Sequence, residues 1–221
     1  MLFEFLQITY NILNLPQKVT QGGTTKATYG WFSDGSKSSV QDNSGNGYYY
    51  IGSLIYSNSN LESTDFSQGR ITLGGGTQTI HYHHRDHLGS VRAITNDSGT
   101  VIEQNDYYSF GGRHTFGQNY TQTSTNRYKF NGKEEQTLGS LDLLDYGARM
   151  YDPAIGRWTA QDPLSEKYYS FSAYNYCVNN PVMFVDPDGR AAGIYSNGLG
   201  QVVGHDGIND DKIYITNYDN Y

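Results

Sequence analysis

Residues 82–111, YHHRDHLGSVRAITNDSGTVIEQNDYYSFG, decide how this chain folds. Residues 91–95 and 100–108 read as strands, rich in β-branched and aromatic side chains. Between them stands Asp97-Ser98-Gly99, a tip that reaches positive φ at little cost. Residues 79–84 supply a third strand upstream, and the unit closes on Tyr107 and Tyr108.

The same grammar runs outward in both directions. Further tips stand at Asp34-Gly35, Asn46-Gly47, Gln68-Gly69, Asn131-Gly132, Asp188-Gly189, Asn197-Gly198 and Asp206-Gly207. Strands are predicted over 26–33, 48–56, 70–73 and 127–130. Strand, tip and strand recur at a loose period of roughly 20–25 residues, which marks a repeat array. Composition agrees, with 26 Gly, 21 Tyr and 36% hydrophobic residues. Aromatic rings carry much of the apolar area, and Gly, Asn, Asp and Ser supply turns. The predicted class is all-β and hairpin-dense.

A net charge of −7 argues against nucleic acid or an anionic membrane as partner, since both need clustered cations. Cys177 stands alone, so no disulfide framework, CxxC metal site or redox pair is available, and it reads as a small buried hydrophobe. No apolar run reaches the roughly 18–20 residues of a membrane span. The opening MLFEFLQITYN has neither the basic region nor the small-residue cleavage site of a signal peptide. It alternates like a strand, as if the chain began within a sheet, and its free edge predicts association or poor solubility.

From about Asp142 the pattern changes. Asp-Pro steps at Asp152, Asp162 and Asp186 force extended or turn geometry before each proline. Residues 164–178 suit either a short helical turn or an irregular segment packed by Tyr168, Tyr169, Tyr174 and Tyr176. After Arg190 the tail resembles the start of a small new β unit.

These stretches resemble the Rhs/YD-repeat family. Asn14-Leu15-Pro16, followed by Tyr29 through Gly35, is similar to a YD repeat, and residues 82–111 resemble the family's "DHLGS…FG" segment. RYKFNGKEEQ (127–136), LLDYGARMYDPAIGRWTAQDPL (143–164) and YNYCVNNPVMFVDPDG (174–189) resemble, in order, its repeat-associated core. The resemblance covers roughly residues 9–190. It implies an antiparallel YD-repeat β-hairpin ribbon, the end of a spiralling hollow shell, closed by an inward-curling core plug. On that reading residues 1–125 are repeat strands, 126–190 the plug ending in Asp186-Pro187-Asp188-Gly189, and 191–221 the start of a variable C-terminal region.

The resemblance also implies chemistry. In several members the core cleaves itself after this motif, with aspartates of two motifs acting together. The candidates here are Asp162, Asp186 and Asp188, with Arg157 to hold a carboxylate or a developing oxyanion. Two close carboxyls cannot both ionise freely, so one stays an acid while the other activates water. The bond implied is Arg190–Ala191, although cleaving members carry Leu or another apolar residue where Arg190 stands. The alternative reading makes Asp162-Pro163 and Asp186-Pro187-Asp188-Gly189 capped turns that lock the plug.

Other constellations carry less. His81 and His83 would share one strand face and His84 the other, with no ligand set completing a metal site. Gly74-Gly75-Gly76 lacks the Lys-Ser/Thr of a phosphate loop. Residues 206–211 place Ile208 where a calcium ligand should stand, so they read as an acidic turn. Asn96-Asp97-Ser98 and Asn119-Tyr120-Thr121 fit the glycan acceptor pattern only. No cofactor is expected.

Three functions follow as expectations. The first is a structural encapsulation segment of an Rhs-type secreted toxin or surface protein. Its partners would be its own upstream shell, a downstream effector and, beyond these, an immunity protein or secretion component. The second is a single-turnover aspartyl autoprotease. The third, from the tyrosine content, is a cell-surface or carbohydrate-binding β protein. A secreted or cell-surface location is implied by the family.

Overall fold

The computed structural model describes residues 6–74, 76–114, 126–167, 170–190, 194–196, 202–204 and 213–215. Eleven strands follow one another in a single antiparallel meander: β1 (Leu6–Tyr10), β2 (Pro16–Gln21), β3 (Thr24–Trp31), β4 (Lys37–Gln41), β5 (Gly47–Ile51), β6 (Leu54–Ser57), β7 (Asn60–Phe66), β8 (Gly69–Gly74), β9 (Thr77–Arg85), β10 (Val91–Asn96) and β11 (Val101–Gln104). Each pairs with its sequence neighbours, and β1 does not meet β11, so the sheet stays open. A second sheet holds β12 (Glu134–Gln136), β13 (Leu143–Asp145), β14 (Met150–Asp152) and β15 (Arg157–Trp158). In the tail, β16 (Ile194–Ser196) pairs antiparallel with β17 (Val202–Gly204) and parallel with β18 (Ile213–Ile215). No described helix is long and apolar enough to cross a membrane.

One loop chemistry turns many of these hairpins. A five-residue segment begins with Asp or Asn, whose Oδ1 accepts backbone N–H groups two and four residues on. Asn11 does this for Leu13 and Leu15 at 2.9 and 3.0 Å, and Asp42 for Ser44 and Asn46 at 2.8 and 3.0 Å. Asp86 serves Leu88 and Ser90, and Asn96 serves Ser98 and Thr100. The fourth residue takes positive φ: Asn14 at 58°, Gly45 at 81°, Gly89 at 81° and Gly99 at 79°. Such Asx turns satisfy loop N–H groups that no strand reaches.

The tip expected at Asn46-Gly47 is therefore shifted. Gly45 makes the turn, while Gly47 opens β5, where a Cβ would lie 1.9 Å from the Val40 carbonyl oxygen. Gly69 likewise belongs to β8, not to a tip. The single strand expected over 48–56 is two, broken at Gly52 (φ 59°). Residues 127–130 form no strand: Tyr128 makes one bridge to Glu134, and a 3-10 turn follows over Phe130–Gly132. The strand expected over 100–108 stops at Gln104. In 164–178 there are two short 3-10 turns, Ser165–Lys167 and Cys177–Asn179, the second running one residue past that stretch. Gly75, Asn119-Tyr120-Thr121, Tyr168, Tyr169, Asn197-Gly198, Asp206-Gly207 and residues 206–211 lie outside the described residues.

One face of the ribbon is apolar along its first half. Val19 faces Ala27, Tyr29 faces Val40, and Tyr50 faces Ile55 across the ladders, all buried. Leu141, Leu143 and Met150 of the second sheet and its lead-in pack onto these residues in one core. A second core lies beneath, built from Phe130, Leu144, Tyr146, Tyr151, Trp158, Tyr176, Cys177 and Phe184. Each fully buried large apolar side chain contributes about 1.5–3 kcal/mol. β13 thus sends Leu143 to the ribbon and Leu144 to the inner core, as strand alternation requires.

Buried charges fix the second sheet in place. Lys37 Nζ of the ribbon sits 2.6 Å from both Glu134 Oε2 and Asp145 Oδ2. Arg127 Nε donates to Glu134 Oε1 at 2.9 Å and its Nη1 to Glu62 Oε1 at 2.9 Å. The Tyr50 hydroxyl donates to Glu134 Oε1 at 2.8 Å. Burial alone would raise the Glu134 carboxyl, but Lys37 and Arg127 pull it down to about 2. Further along, Lys129 pairs with the fully buried Glu103 of β11 at 2.5 Å.

Candidate active site at the closing turn

Asp186-Pro187-Asp188-Gly189-Arg190 repeats the loop chemistry of the ribbon. Asp186 Oδ1 accepts from the N–H groups of Asp188 (3.3 Å), Gly189 (2.7 Å) and Arg190 (3.1 Å), and Gly189 takes φ 78°. A Cβ at Gly189 would lie 3.0 Å from the Arg149 nitrogen and 3.1 Å from Tyr146 Cβ, so the turn is pressed against the second sheet. Ala148 N donates to the Asp188 carbonyl at 3.0 Å, and Lys133 Nζ to the Pro187 carbonyl at 2.5 Å.

The other oxygen of Asp186 does different work. Arg149, 1% exposed, places Nη2 3.2 Å from Asp186 Oδ2 and 3.0 Å from Asp162 Oδ2. Its Nε donates to the Gly189 carbonyl at 2.5 Å, and its guanidinium lies over Trp158, 4.1 Å from the ring centroid. One cation thus ties two aspartates and a carbonyl of the turn. Asp162 also receives Leu164 N at 2.7 Å, which shapes its own Asp-Pro turn. Burial raises both carboxyls above the ordinary aspartate value, against the pull of Arg149. A single positive charge therefore serves two acids.

The structure brings Asp162 and Asp186 together but leaves two other candidates outside. Asp188 is exposed and meets the Arg190 side chain at 3.9 Å. Arg157 is exposed in β15, and among the described residues it pairs with neither acid. Arg149 takes the carboxylate-holding place that the sequence suggested for Arg157. The signal was present: an arginine between Ala148 and Met150, in a run otherwise built for burial, needs acidic partners. Arg190 is described and exposed, whereas Ala191 lies outside the described residues.

Below the turn, the Tyr146 and Tyr176 hydroxyls both donate to Asn131 Oδ1, at 2.8 and 2.7 Å. Asn131 in turn donates from Nδ2 to the Leu88 carbonyl and from its backbone to Ser90 Oγ, both at 3.0 Å. The Asp86–Ser90 loop of the ribbon therefore docks on the closing turn's own foundation. Burial pushes the neighbouring Cys177 thiol well up, so it stays an unreactive apolar group. His81 and His83 share a face, as expected, and His87 Nε2 lies 3.1 Å from the Val182 carbonyl.

No protein-family model matches the chain. The toxin subunit YenC1 of Yersinia entomophaga is 31% identical over 117 residues, 52% of this chain and 12% of that protein. Salivary gland surface protein 1 of Aedes aegypti is 35% identical over 132 residues, 58% of this chain and 4% of that protein. This chain therefore spans only a small part of the curated relatives it matches. Among solved structures, the crystal structure of TcdB2-TccC3-TEV superposes with a TM-score of 0.64 at 23% identity, covering 83% of this chain and 10% of that one. Toxin subunits are thus among the relatives of this chain, and its open antiparallel ribbon with a second sheet on one face shares the fold of one part of the TcdB2-TccC3 toxin structure.

Proposed function

We propose that this chain is the closing segment of an encapsulating β-shell: the ribbon is wall, residues 126–190 are the plug, and the chain after Arg190 is cargo. The observation that carries this reading is the one-sided packing of the ribbon. Its apolar face is covered by Leu141, Leu143 and Met150, and ion pairs from Lys37 and Glu62 clamp the covering sheet. The similarity to YenC1 and to the TcdB2-TccC3 fold supports the same reading. An extracellular or cell-surface setting fits both the toxin subunit and the salivary gland surface protein. Protease protection tests it. With its natural flanking sequence, the segment after residue 190 resists digestion under native conditions and is degraded once urea opens the plug. Equal digestion before and after urea contradicts the reading.

A second reading rests on the Arg149-bridged acids: the plug hydrolyses its own chain once, at Arg190–Ala191. The less acidic carboxyl retains its proton and the other accepts one from water. The water oxygen adds to the Arg190 carbonyl carbon, the C–N bond breaks, and the proton held by the acid goes to the Ala191 amine. Arg149, already holding the adjacent Gly189 carbonyl, keeps the strand at the acids. Intact mass of the wild type beside Asp162→Asn and Asp186→Asn tests this. A split after Arg190 that both variants abolish supports it, and an uncut wild type refutes it.

A further inference from the structure

The inner face of the ribbon changes character beyond Ile55. Ile55 faces Ser63 across β6 and β7, and Arg70 faces His81 across β8 and β9. His83 then faces the buried Ile94. Where the first half of the face is apolar, this half is polar and largely buried. A small cavity of about 20 Å³ lies here, bordered by Ser63, Arg70, Thr72, His83, Arg127 and Tyr128.

The charges around it do not balance. Arg70 is only 7% exposed. Its Nη2 donates to Ser63 Oγ at 3.1 Å and its guanidinium lies 4.6 Å from the Tyr128 ring centroid, but among the described residues it makes no ion pair. Asp65, its register partner across the hairpin, is exposed. The carboxylate at the cavity, Glu62, has both oxygens taken by Arg127 Nη1, at 2.9 and 3.2 Å. Both ring nitrogens of His83 are shut off from solvent without a hydrogen-bond partner. A buried guanidinium without a counter-charge and a buried imidazole without a partner each carry an uncompensated desolvation cost. One negative ion would give the guanidinium a counter-charge and the imidazole N–H an acceptor.

We propose that this cavity binds a small monovalent anion, chloride or an ion of its size, between Arg70 and His83. The donors decide the sign of the ligand: a guanidinium, an imidazole N–H and the hydroxyl of Ser63, which accepts from Arg70 and keeps its own proton to donate, all call for an acceptor. The volume suits a small ion, since about 20 Å³ exceeds the roughly 10–15 Å³ that one water-sized particle needs. A bound anion also neutralises the uncompensated charge on the polar half of the face, where β7, β8 and β9 lie against residues 126–128.

The test is NMR of the folded chain with labelled histidines, titrated with sodium chloride against sodium gluconate at equal ionic strength. The groups facing His83 are Arg70, Arg85, His81 and Lys129, and burial with these cations holds its pKa down to about 3. The His83 ring therefore starts neutral, and His84, exposed on the opposite face, serves as internal reference. The expected result is a saturable His83 shift with chloride, reproduced by bromide and absent with gluconate. Arg70→Met weakens it about tenfold or more, the loss of one charge-assisted hydrogen bond. Identical curves in chloride and gluconate, or an unchanged response in Arg70→Met, overturn the proposal and leave water as the occupant. If Arg70→Met does not fold, anomalous diffraction from the wild type in bromide decides. A peak within hydrogen-bond distance of Arg70 and His83 supports the site, and an empty map there refutes it.

Discussion

Glu134→Gln is the sharpest test of how the second sheet is held. The substitution keeps shape and removes one charge from the group that Lys37, Arg127 and Tyr50 all address. Lys37 retains Asp145 and Arg127 retains Glu62, so neither cation is left bare. The carboxyl is lowered from an ordinary 4.5 to about 2 in the fold. A carboxyl depressed on folding stabilises above its unfolded value, and that stability disappears as pH falls through the folded one. At about 1.36 kcal/mol per pH unit, Glu134 contributes about 3 kcal/mol at pH 7 and about 1 kcal/mol at pH 3. Urea unfolding of both proteins at the two pH values measures this. The variant should lose about 3 kcal/mol at pH 7, with a thermal midpoint about 10 °C lower, and should approach the wild type in acid. An equal loss at pH 7 and pH 3, or none at pH 7, refutes the ionic clamp.

Arg149→Met leaves Asp162 and Asp186 facing each other without their cation and should cost about 3–5 kcal/mol, whereas Arg157→Ala should stay within about 0.5 kcal/mol; denaturant midpoints compare them. Gly47→Ala forces a Cβ to within 1.9 Å of the Val40 carbonyl oxygen, so β4 and β5 must separate, and hydrogen exchange across that hairpin should rise well before any global unfolding. Ile94→Ala empties a fully buried position and should cost about 2–5 kcal/mol by calorimetry.

Local chemistry was legible and distant partnership was not. Asp97-Ser98-Gly99 announced its hairpin because turn geometry is written in neighbouring residues. The five-residue rule behind it was harder to see, since Asn46-Gly47 offers the stronger dipeptide while Asp42 and Gly45 make the turn. Residues 48–56 are rich enough in aromatic and β-branched side chains for one strand, and the turn at Gly52-Ser53, with Gly52 at positive φ, divides them. Asp162 and Asp186 were candidates because the stretches around them resemble core motifs whose aspartates act together, not because of any spacing between them. Arg149 was not, because its acids stand far along the chain and the nearer Arg157 met the same description. Lys37, Arg127 and Glu134 look like ordinary surface charges in sequence, and become buried only when ribbon and second sheet meet.

Cryo-electron microscopy of the chain within its natural polypeptide tests the central claim most directly. The account predicts a closed wall whose ribbon presents Val19, Val40 and Tyr50 inward, residues 126–190 curled against that face, and density for the following segment inside. A ribbon with residues 126–190 on its outer face, or a wall enclosing no volume, would contradict it.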